Sequence, residues 1–422
     1  MRMNRGFYTI MAAQFFSSLA DNALLIAAIA LLATMQAPAW MTPLLKLFFV
    51  LSYVLLAAFV GAFADSLPKG RVMFVTNLIK IVGCGLMFFD VHPLLAYAVV
   101  GFGAAAYSPA KYGILTELLP PEKLVAANGW IEGLTVISII LGTVMGGALV
   151  NAKVAATLLS IDVPIIDIGI DTAAEAALSV IMLAYLAAAA FNLRIPDTGA
   201  RYPDQERNPL KLIVDFAGCF TTLWKDKLGQ ISLGVTTLFW GAGATLQFIV
   251  LKWAEKSLNM PLDKAAILQG IFAVGVAIGA TAAARFVPLR KALTVMPLGV
   301  AMGLIVTTMT LVKTVWLAYP LLVLIGALAG YFVVPMNALL QHRGHVLLSA
   351  GHSIAVQNFN ENLSVLTMLM LYALMVKLNL NINLVIVLFG MFVAGSMMLA
   401  MRKHAANQRD HDSLSLIGEH KH

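Results

Sequence analysis

Residues 7–34 read FYTIMAAQFFSSLADNALLIAAIALLAT, and Asp21 is the single charged side chain in this run. At about 1.5 Å of rise per residue, a helix of this length crosses a hydrocarbon core roughly 30 Å thick. The run is too long for the apolar core of a cleaved signal peptide, and it lacks a small-residue cleavage pattern. It therefore predicts a helix that stays in the membrane.

Similar apolar runs continue along the chain, in which 60% of the 422 residues are hydrophobic and 12% are charged. Soluble proteins carry roughly 25% charged residues, so this composition excludes disordered chains, disulfide scaffolds and ordinary soluble enzymes. Cys84 and Cys219 are too few and too dispersed for a disulfide framework or a metal site. We predict an all-α integral membrane protein with twelve transmembrane helices. The further runs are 43–64, 71–90, 93–115, 124–150, 174–194, 228–254, 265–287, 291–313, 315–340, 350–377 and 380–402.

Cationic side chains are divided unequally between alternate connections. Every arginine lies on the side that also holds both termini, whereas the opposite side has only lysines, namely Lys46, Lys153, Lys252, Lys256, Lys264, Lys313 and Lys377. Positively charged loops stay in the cytoplasm, so we expect both termini to be cytoplasmic. The net charge of +7 then reflects topology and contact with anionic membrane lipids, and it does not indicate a nucleic-acid partner.

The chain divides into two similar halves. We predict an N-terminal six-helix bundle (1–194), a cytoplasmic linker (195–227), a C-terminal six-helix bundle (228–402) and a polar cytoplasmic tail (403–422). Pro109 in the fourth run corresponds to Pro335 in the tenth. After each proline and a short loop, the next apolar run begins with a similar sequence. Two pseudo-symmetric six-helix bundles are typical of alternating-access transporters, whose site lies near the middle of the membrane between the halves.

The sequence also predicts the structure of two connections between the apolar runs. Apolar residues recur at helical spacing over 210–224, after Asn208 and Pro209 as a cap and first turn. This predicts a short amphipathic helix, either lying on the cytoplasmic leaflet or packed on the underside of the bundle. The acidic connection 152–173 is expected to be a solvated outer loop and not a calcium site.

Several motifs resemble those of known transporters. Gly61-x-x-x-Asp65 followed by Lys69-Gly70-Arg71 is similar to the signature between spans two and three of the major facilitator superfamily. In that reading Gly61 permits close helix approach, and Asp65 with Lys69 and Arg71 forms a conformational latch on the cytoplasmic side. Five longer strings, in order along nearly the whole chain, resemble the bacterial lysophospholipid transporters: Ser18–Leu25, Ala105–Leu115, Phe239–Gly243, Phe332–Gln341 and Ile354–Asn358.

The resemblance implies a function. That family moves lysophospholipids, chiefly lysophosphatidylethanolamine, from the outer to the inner leaflet of the bacterial inner membrane. Re-acylation would then require a separate acyltransferase and acyl carrier protein synthetase, because this chain carries no such domain. The chain departs from the family at Gln247, where an arginine is expected in span seven; Lys252 follows five residues later. We expect no metal and no organic cofactor.

Charged residues inside the spans are the candidate binding residues, because each costs roughly 3 kcal/mol or more at the centre of a membrane helix. We expect Asp21 to face the ammonium of a zwitterionic head group, and Lys80 or Lys111 to lie near its phosphate. Structural pairs, Asp21 with Lys80 or Lys111 with Glu132, are the alternative. The remaining candidate substrate-binding residues are Asn22, Tyr112, Glu132, Gln247, Asn358 and Glu361.

Two other functions compete with lysophospholipid transport. A proton-coupled multidrug exporter of the same fold is the alternative, since Gly133, Gly142 and Gly146 partly match the exporters' span-five pattern. Tyr97 stands where those exporters carry an arginine, which weakens that reading. A membrane enzyme or a scaffold is the third, but the chain has no metal-ligand spacing, serine elbow or phosphate loop. Energy coupling, head-group range and oligomeric state stay open.

Overall fold

The computed structural model describes residues 3–38, 41–161, 169–260 and 262–418, and within them the regular structure is helical. Asn4 caps the first helix, because its side-chain oxygen accepts a hydrogen bond from the Phe7 amide at 2.8 Å. The helices are α1 (Arg5–Thr34), α2 (Met41–Leu55), α3 (Ala57–Ser66), α4 (Lys69–Phe88), α5 (Pro93–Leu118), α6 (Leu124–Leu149), α7 (Ala152–Leu159), α8 (Ala173–Leu193), α9 (Pro209–Lys225), α10 (Gly229–Ser257), α11 (Leu262–Phe286), α12 (Met296–Thr307), α13 (Val315–Leu347), α14 (Ala350–Lys377) and α15 (Ile382–Asp410).

The count of membrane-spanning helices agrees with the sequence. In the described chain, 11 helical segments are long and apolar enough to cross a membrane, or up to 12 when a bent pair is counted as one span. The bent pair is the second predicted span, in which α2 and α3 meet at 68°. Leu55, Leu56 and Ala57 stand at this break, so neither proline nor glycine marks it in the sequence. The expected continuous helix over 43–64 is therefore broken.

The outer connection also differs from its prediction. Residues Ala152–Leu159 form the short helix α7, which Asn151 caps by accepting a hydrogen bond from the Lys153 amide at 3.0 Å. The expectation of a solvated loop over 152–173 was wrong for this part. Of the acidic residues of the expected loop, Asp162 and Asp167 lie outside the described residues, whereas Asp171 lies within them.

The first compact unit comprises Met1–Ile114 and Ile137–Ile213. Its core contains the buried side chains of Leu24, Tyr97 and Tyr185. Glycines bring α6 against α1, because a Cβ atom on Gly142 would lie 2.6 Å from the Leu19 carbonyl oxygen. Small residues allow this kind of close backbone approach between membrane helices.

The second compact unit comprises Leu115–Val136 and Val214–His422. Its core surrounds Trp253, whose indole nitrogen donates to the Met309 carbonyl at 3.0 Å. Helices α11 and α13 pack closely through two pairs of glycines spaced four residues apart, and a Cβ on any of them would collide with the facing backbone. The glycines are Gly275, Gly279, Gly326 and Gly330. This is the small-xxx-small pattern on both partners.

Helix α9 in the linker is packed on the second unit over part of its length. Leu223 is fully buried, and the rings of Phe216 and Phe220 pack on Phe359 of α14. Leu210 and Val214, in contrast, are 74% and 69% exposed. The C-terminal half of α9 is therefore packed on the second unit, while its first turns present apolar side chains outward.

The C-terminal segment is held at the same end of the second unit. Arg343 at the end of α13 donates to both carboxylate oxygens of Asp226, at 2.7 and 3.1 Å, and to the Leu416 carbonyl at 3.3 Å. The Gly418 amide donates to the ring of His342 at 3.0 Å. The residues that follow α15 are therefore fixed to α13 and to the end of the linker.

Candidate functional site

A buried ion pair lies at the centre of the first unit. The Lys80 ammonium of α4 is 2.7 Å from a carboxylate oxygen of Asp21 in α1. The Lys80 side chain is 2% exposed, whereas that of Asp21 is 16% exposed. A buried charge requires a partner of opposite sign, so each residue explains the other's presence in a hydrophobic helix. The pairing that the sequence left as a structural alternative is present, and its accessible member is the carboxylate.

Further hydrogen bonds fix both ends of this pair. Tyr185 of α8 donates to the second carboxylate oxygen of Asp21 at 2.6 Å. Lys80 also donates to Ser17 at 3.0 Å, and Ser17 donates to the Asn77 side-chain oxygen at 2.7 Å. Three helices are thus joined through one charge pair. A network of this kind is rigid because most of its polar atoms are satisfied.

The surroundings of Lys80 are shaped by α5. Gly103 gives room to its aliphatic chain, since a Cβ there would lie 2.9 Å from the Lys80 Cγ atom. The Tyr107 ring centroid is 4.8 Å from the Lys80 ammonium, close enough for a cation–π interaction. Within the described residues, the buried Tyr107 hydroxyl has no hydrogen-bond partner. This hydroxyl is an additional donor beside the ion pair.

The other predicted residues of the first unit lie near α1 and α5. Asn22 donates to the Ser18 carbonyl at 2.8 Å within α1, so its amide is partly used by its own helix. The Lys111 ammonium lies 4.3 Å from the ring centroid of Tyr112, and both residues are half-buried. Lys111 is therefore a more accessible cation than Lys80.

Two buried carboxylates lie in the second unit. Gln357 donates to Glu361 at 2.7 Å within α14, and the same amide group contacts the Asn337 oxygen of α13 at 3.2 Å. Glu132 of α6 is also buried. Buried charges in membrane helices are costly, so both carboxylates are candidates for a functional role.

A pair of amides lies one turn before Glu132. The side chains of Asn128 and Gln341 exchange two hydrogen bonds, each of 2.9 Å, and both residues are buried. Gly129 packs against Ala284 of α11 beside them. The start of α6 is thereby fixed to α13 and α11.

The last predicted residues of this unit have simpler surroundings. Gln247 is exposed, and its main-chain carbonyl accepts from the Gln269 side chain at 2.9 Å. Asn358 is buried, and its carbonyl accepts from Asn362 at 2.8 Å.

The predicted latch residues lie around the turn between α3 and α4. Lys69 donates to Asp65 at 2.7 Å and to the Ala64 carbonyl at 2.8 Å, and both charged side chains are buried. Gly61 is buried in α3, whereas Arg71 is exposed. The ion pair is therefore made within the turn by Lys69, with the Tyr202 ring 4.8 Å from its ammonium.

Comparison with known proteins identifies the family. The sequence model of the Major Facilitator Superfamily matches residues 10–365 of this chain. A lysophospholipid transporter from Serratia proteamaculans is 43% identical over 374 residues, which cover 88% of this chain and 89% of the relative. The corresponding proteins of Escherichia fergusonii (88% and 89% coverage) and Yersinia pestis (88% and 87%) are 43% and 42% identical. This chain belongs to the lysophospholipid transporter family of the major facilitator superfamily.

Solved structures agree with the fold of this family. The transporter FucP in its outward conformation has a TM-score of 0.69 at 13% identity, covering 94% of this chain and 98% of FucP. The human organic anion transporter MFSD10 has a TM-score of 0.70 at 14% identity, with 95% and 100% coverage. At such identities the likeness concerns the fold alone. The prediction of an all-α major facilitator fold is confirmed, and the curated relatives are named as transporters and not as enzymes.

The sequence pointed to part of this network and missed the rest. Ser17 is four residues before Asp21, and Asn77 is three before Lys80, so helical spacing places each on the same face as its charge. That spacing is the signal that would have found them. Tyr185 lies far along the chain in an apolar helix, where no local pattern marks its contact with Asp21.

Proposed function

We propose that this protein transports lysophospholipids, with lysophosphatidylethanolamine as the main substrate, from the outer to the inner leaflet of the bacterial inner membrane. The identity of 43% to a lysophospholipid transporter over 88% of the chain is the observation that carries the proposal. The buried Asp21–Lys80 pair supports it, because such a pair gives a charged contact for a polar head inside an apolar bundle.

Asp21 and Lys111 have separate roles in this proposal. Asp21 binds the ammonium of the head group, since it is the accessible member of its ion pair. Lys111 binds the phosphate, with Tyr112 beside it, because its side chain is half-buried whereas that of Lys80 is 2% exposed. Asn22, Glu132, Gln247, Asn358 and Glu361 are further proposed binding residues.

Transport proceeds by alternating access, and the turn between α3 and α4 acts as the latch. The Asp65–Lys69 pair holds this turn in one conformation, and Arg71 is exposed at its start. Gly61 lies in the helix that precedes the turn. Substituting Lys69 with Met is expected to reduce the transport rate more than the affinity for substrate, because the residue acts on the conformational equilibrium.

The proposal includes a topology and a partner. Both termini and the linker lie in the cytoplasm, where a separate acyltransferase with its acyl carrier protein synthetase re-acylates the product. Cys219 is half-buried in the linker helix α9, whereas Cys84 is buried, so the natural cysteines test the topology. A membrane-impermeant maleimide should label Cys219 only after the membrane is opened, while Ser160→Cys on the opposite side should label in intact cells. The reverse pattern would overturn the orientation.

A lipid-uptake assay tests the transport. Purified protein in vesicles receives fluorescent lysophosphatidylethanolamine in the outer leaflet, and a quencher reports the fraction that becomes protected. We expect wild-type protein to protect the lipid, and Asp21→Ala to lower the rate by about tenfold or more, the equivalent of one charge-assisted hydrogen bond. Asp90→Asn is the matched control, because Asp90 is exposed at the end of α4. Equal rates with empty vesicles would refute the function, and full activity of Asp21→Ala would refute only the head-group role.

A further inference from the structure

A cavity in the second unit lies apart from the candidate functional site described above. It has a volume of about 530 Å³ and is situated where α10 ends and α15 begins, at the end of the unit opposite to the linker. Sites for small ligands usually span roughly 300–1,000 Å³, so the space suits a small polar group. The polar side chains in its wall are Lys252, Lys256, Ser257, Lys313, Asn379, Asn381 and Asn383.

The wall of this cavity is strongly cationic. Three lysines line it, and none of the nine described lining residues is acidic. Lys252 and Lys256 are four residues apart on α10, where like charges on one helix face repel each other. The charge pattern of the sequence assigns this end of the unit to the side that is poor in cations. Three lysines gathered in one cavity on that side create a positive potential that favours a bound anion.

The N-terminus of α15 adds to this field. Asn381 caps the helix by accepting from the Asn383 amide at 2.8 Å, and both residues line the cavity. The amides of the first helical turn and the helix dipole favour an anion at this place. The lysines and the N-terminus of α15 therefore both favour a bound anion.

One atom in the wall offers a contact for a ligand hydroxyl. The side-chain oxygen of Asn383 is buried and has no hydrogen-bond partner among the described residues. A phosphoglycerol head group supplies both an anionic phosphodiester for the lysines and hydroxyl donors for this oxygen.

We infer that this cavity binds the phosphate of an anionic phospholipid of the phosphatidylglycerol class, through Lys252, Lys256, Lys313 and the start of α15. The lipid acts here as a bound partner and not as the cargo. The site is independent of the Asp21 network, and binding at it can be measured without transport.

Binding of added lipid to the full-length protein in detergent tests this inference. Native mass spectrometry and thermal unfolding are compared for phosphatidylglycerol, phosphatidylethanolamine and inorganic phosphate at equal phosphate concentration. The cavity variant is Lys252→Gln/Lys256→Gln/Lys313→Gln. The matched control is Lys153→Gln/Lys264→Gln/Lys377→Gln, which removes the same charge from exposed lysines outside the cavity.

We expect phosphatidylglycerol to bind wild-type protein about tenfold or more tightly than phosphatidylethanolamine does, and the cavity variant to lose this preference while the control keeps it. Equal losses in both variants would show general surface attraction and overturn the site. Inorganic phosphate that binds as tightly as the lipid would overturn the lipid assignment. Lys313→Arg, which keeps the charge, should retain binding and thus separates loss of the site from loss of folding.

Discussion

Removing one member of the Asp21–Lys80 pair should destabilise the protein more than removing both. The Lys80 side chain is 2% exposed, so among the described residues its ammonium in Asp21→Ala keeps only Ser17 as a hydrogen-bond acceptor and the Tyr107 ring. Breaking a buried ion pair from one side typically costs about 3–5 kcal/mol, because it leaves an uncompensated charge. Lys80→Met should cost less, about 2 kcal/mol, since the Asp21 carboxylate keeps its bond from Tyr185 and some contact with solvent.

The double variant Asp21→Ala/Lys80→Met removes both charges and leaves an apolar contact. We expect it to recover most of the lost stability, with a coupling energy of about 2 kcal/mol or more between the two sites. Unfolding of the purified protein in mixed micelles measures the three free energies. If the two single variants cost little and their effects simply add, the pair is not energetically coupled and this reasoning is refuted.

The same variants separate a structural role of the pair from a role in transport. Where Asp21 binds the head group, the double variant regains stability but not lipid uptake. Where the pair serves only to hold α1 against α4, uptake returns together with stability. The second result would end the proposal that Asp21 binds the ammonium, while the family membership would stand.

Three further perturbations test the packing of the second unit. Asn128→Leu should cost about 1–3 kcal/mol by leaving the buried Gln341 amide unsatisfied, and Asn128→Leu/Gln341→Leu should cost less than that in the same unfolding assay. Gly279→Ala places a methyl group against the backbone of α13 and should cost about 1–3 kcal/mol, whereas Gly270→Ala, with open space around it, should be neutral. Arg343→Met removes the contacts that hold the C-terminal segment; residues 412–418 should then exchange amide hydrogens faster, and unchanged exchange would contradict the assigned role.

The hydrophobic runs predicted nearly all of the membrane helices because a span needs only length and composition. The bend between α2 and α3 was not predictable in this way, since Leu55, Leu56 and Ala57 are ordinary helix residues. Helix α7 was missed because its eight residues lie in a connection where an acidic composition indicated a loop. The bend depends on tertiary packing, whereas α7 has a local signal in its Asn151 cap that the acidic composition of the connection outweighed.

The candidate site, like the fold, was predicted only in part from the sequence. The cost of a charge in hydrocarbon singled out Asp21, Lys80, Glu132 and Glu361 from the sequence alone. It did not say which charges would meet, because a partner depends on how distant helices pack. The sequence left two pairs open, and the structure resolves one of them as Asp21 with Lys80.

The geometry of Asp21 suggests how binding and conformational change are linked in the proposed function. Its two carboxylate oxygens already accept from Lys80 and Tyr185, on α4 and α8. A substrate ammonium that binds Asp21 must compete with these two donors and weaken the connection between the three helices. A ligand shifts a conformational equilibrium only by its difference in affinity for the two states. The competition at Asp21 supplies such a difference, because the ammonium binds best where Lys80 and Tyr185 have moved away.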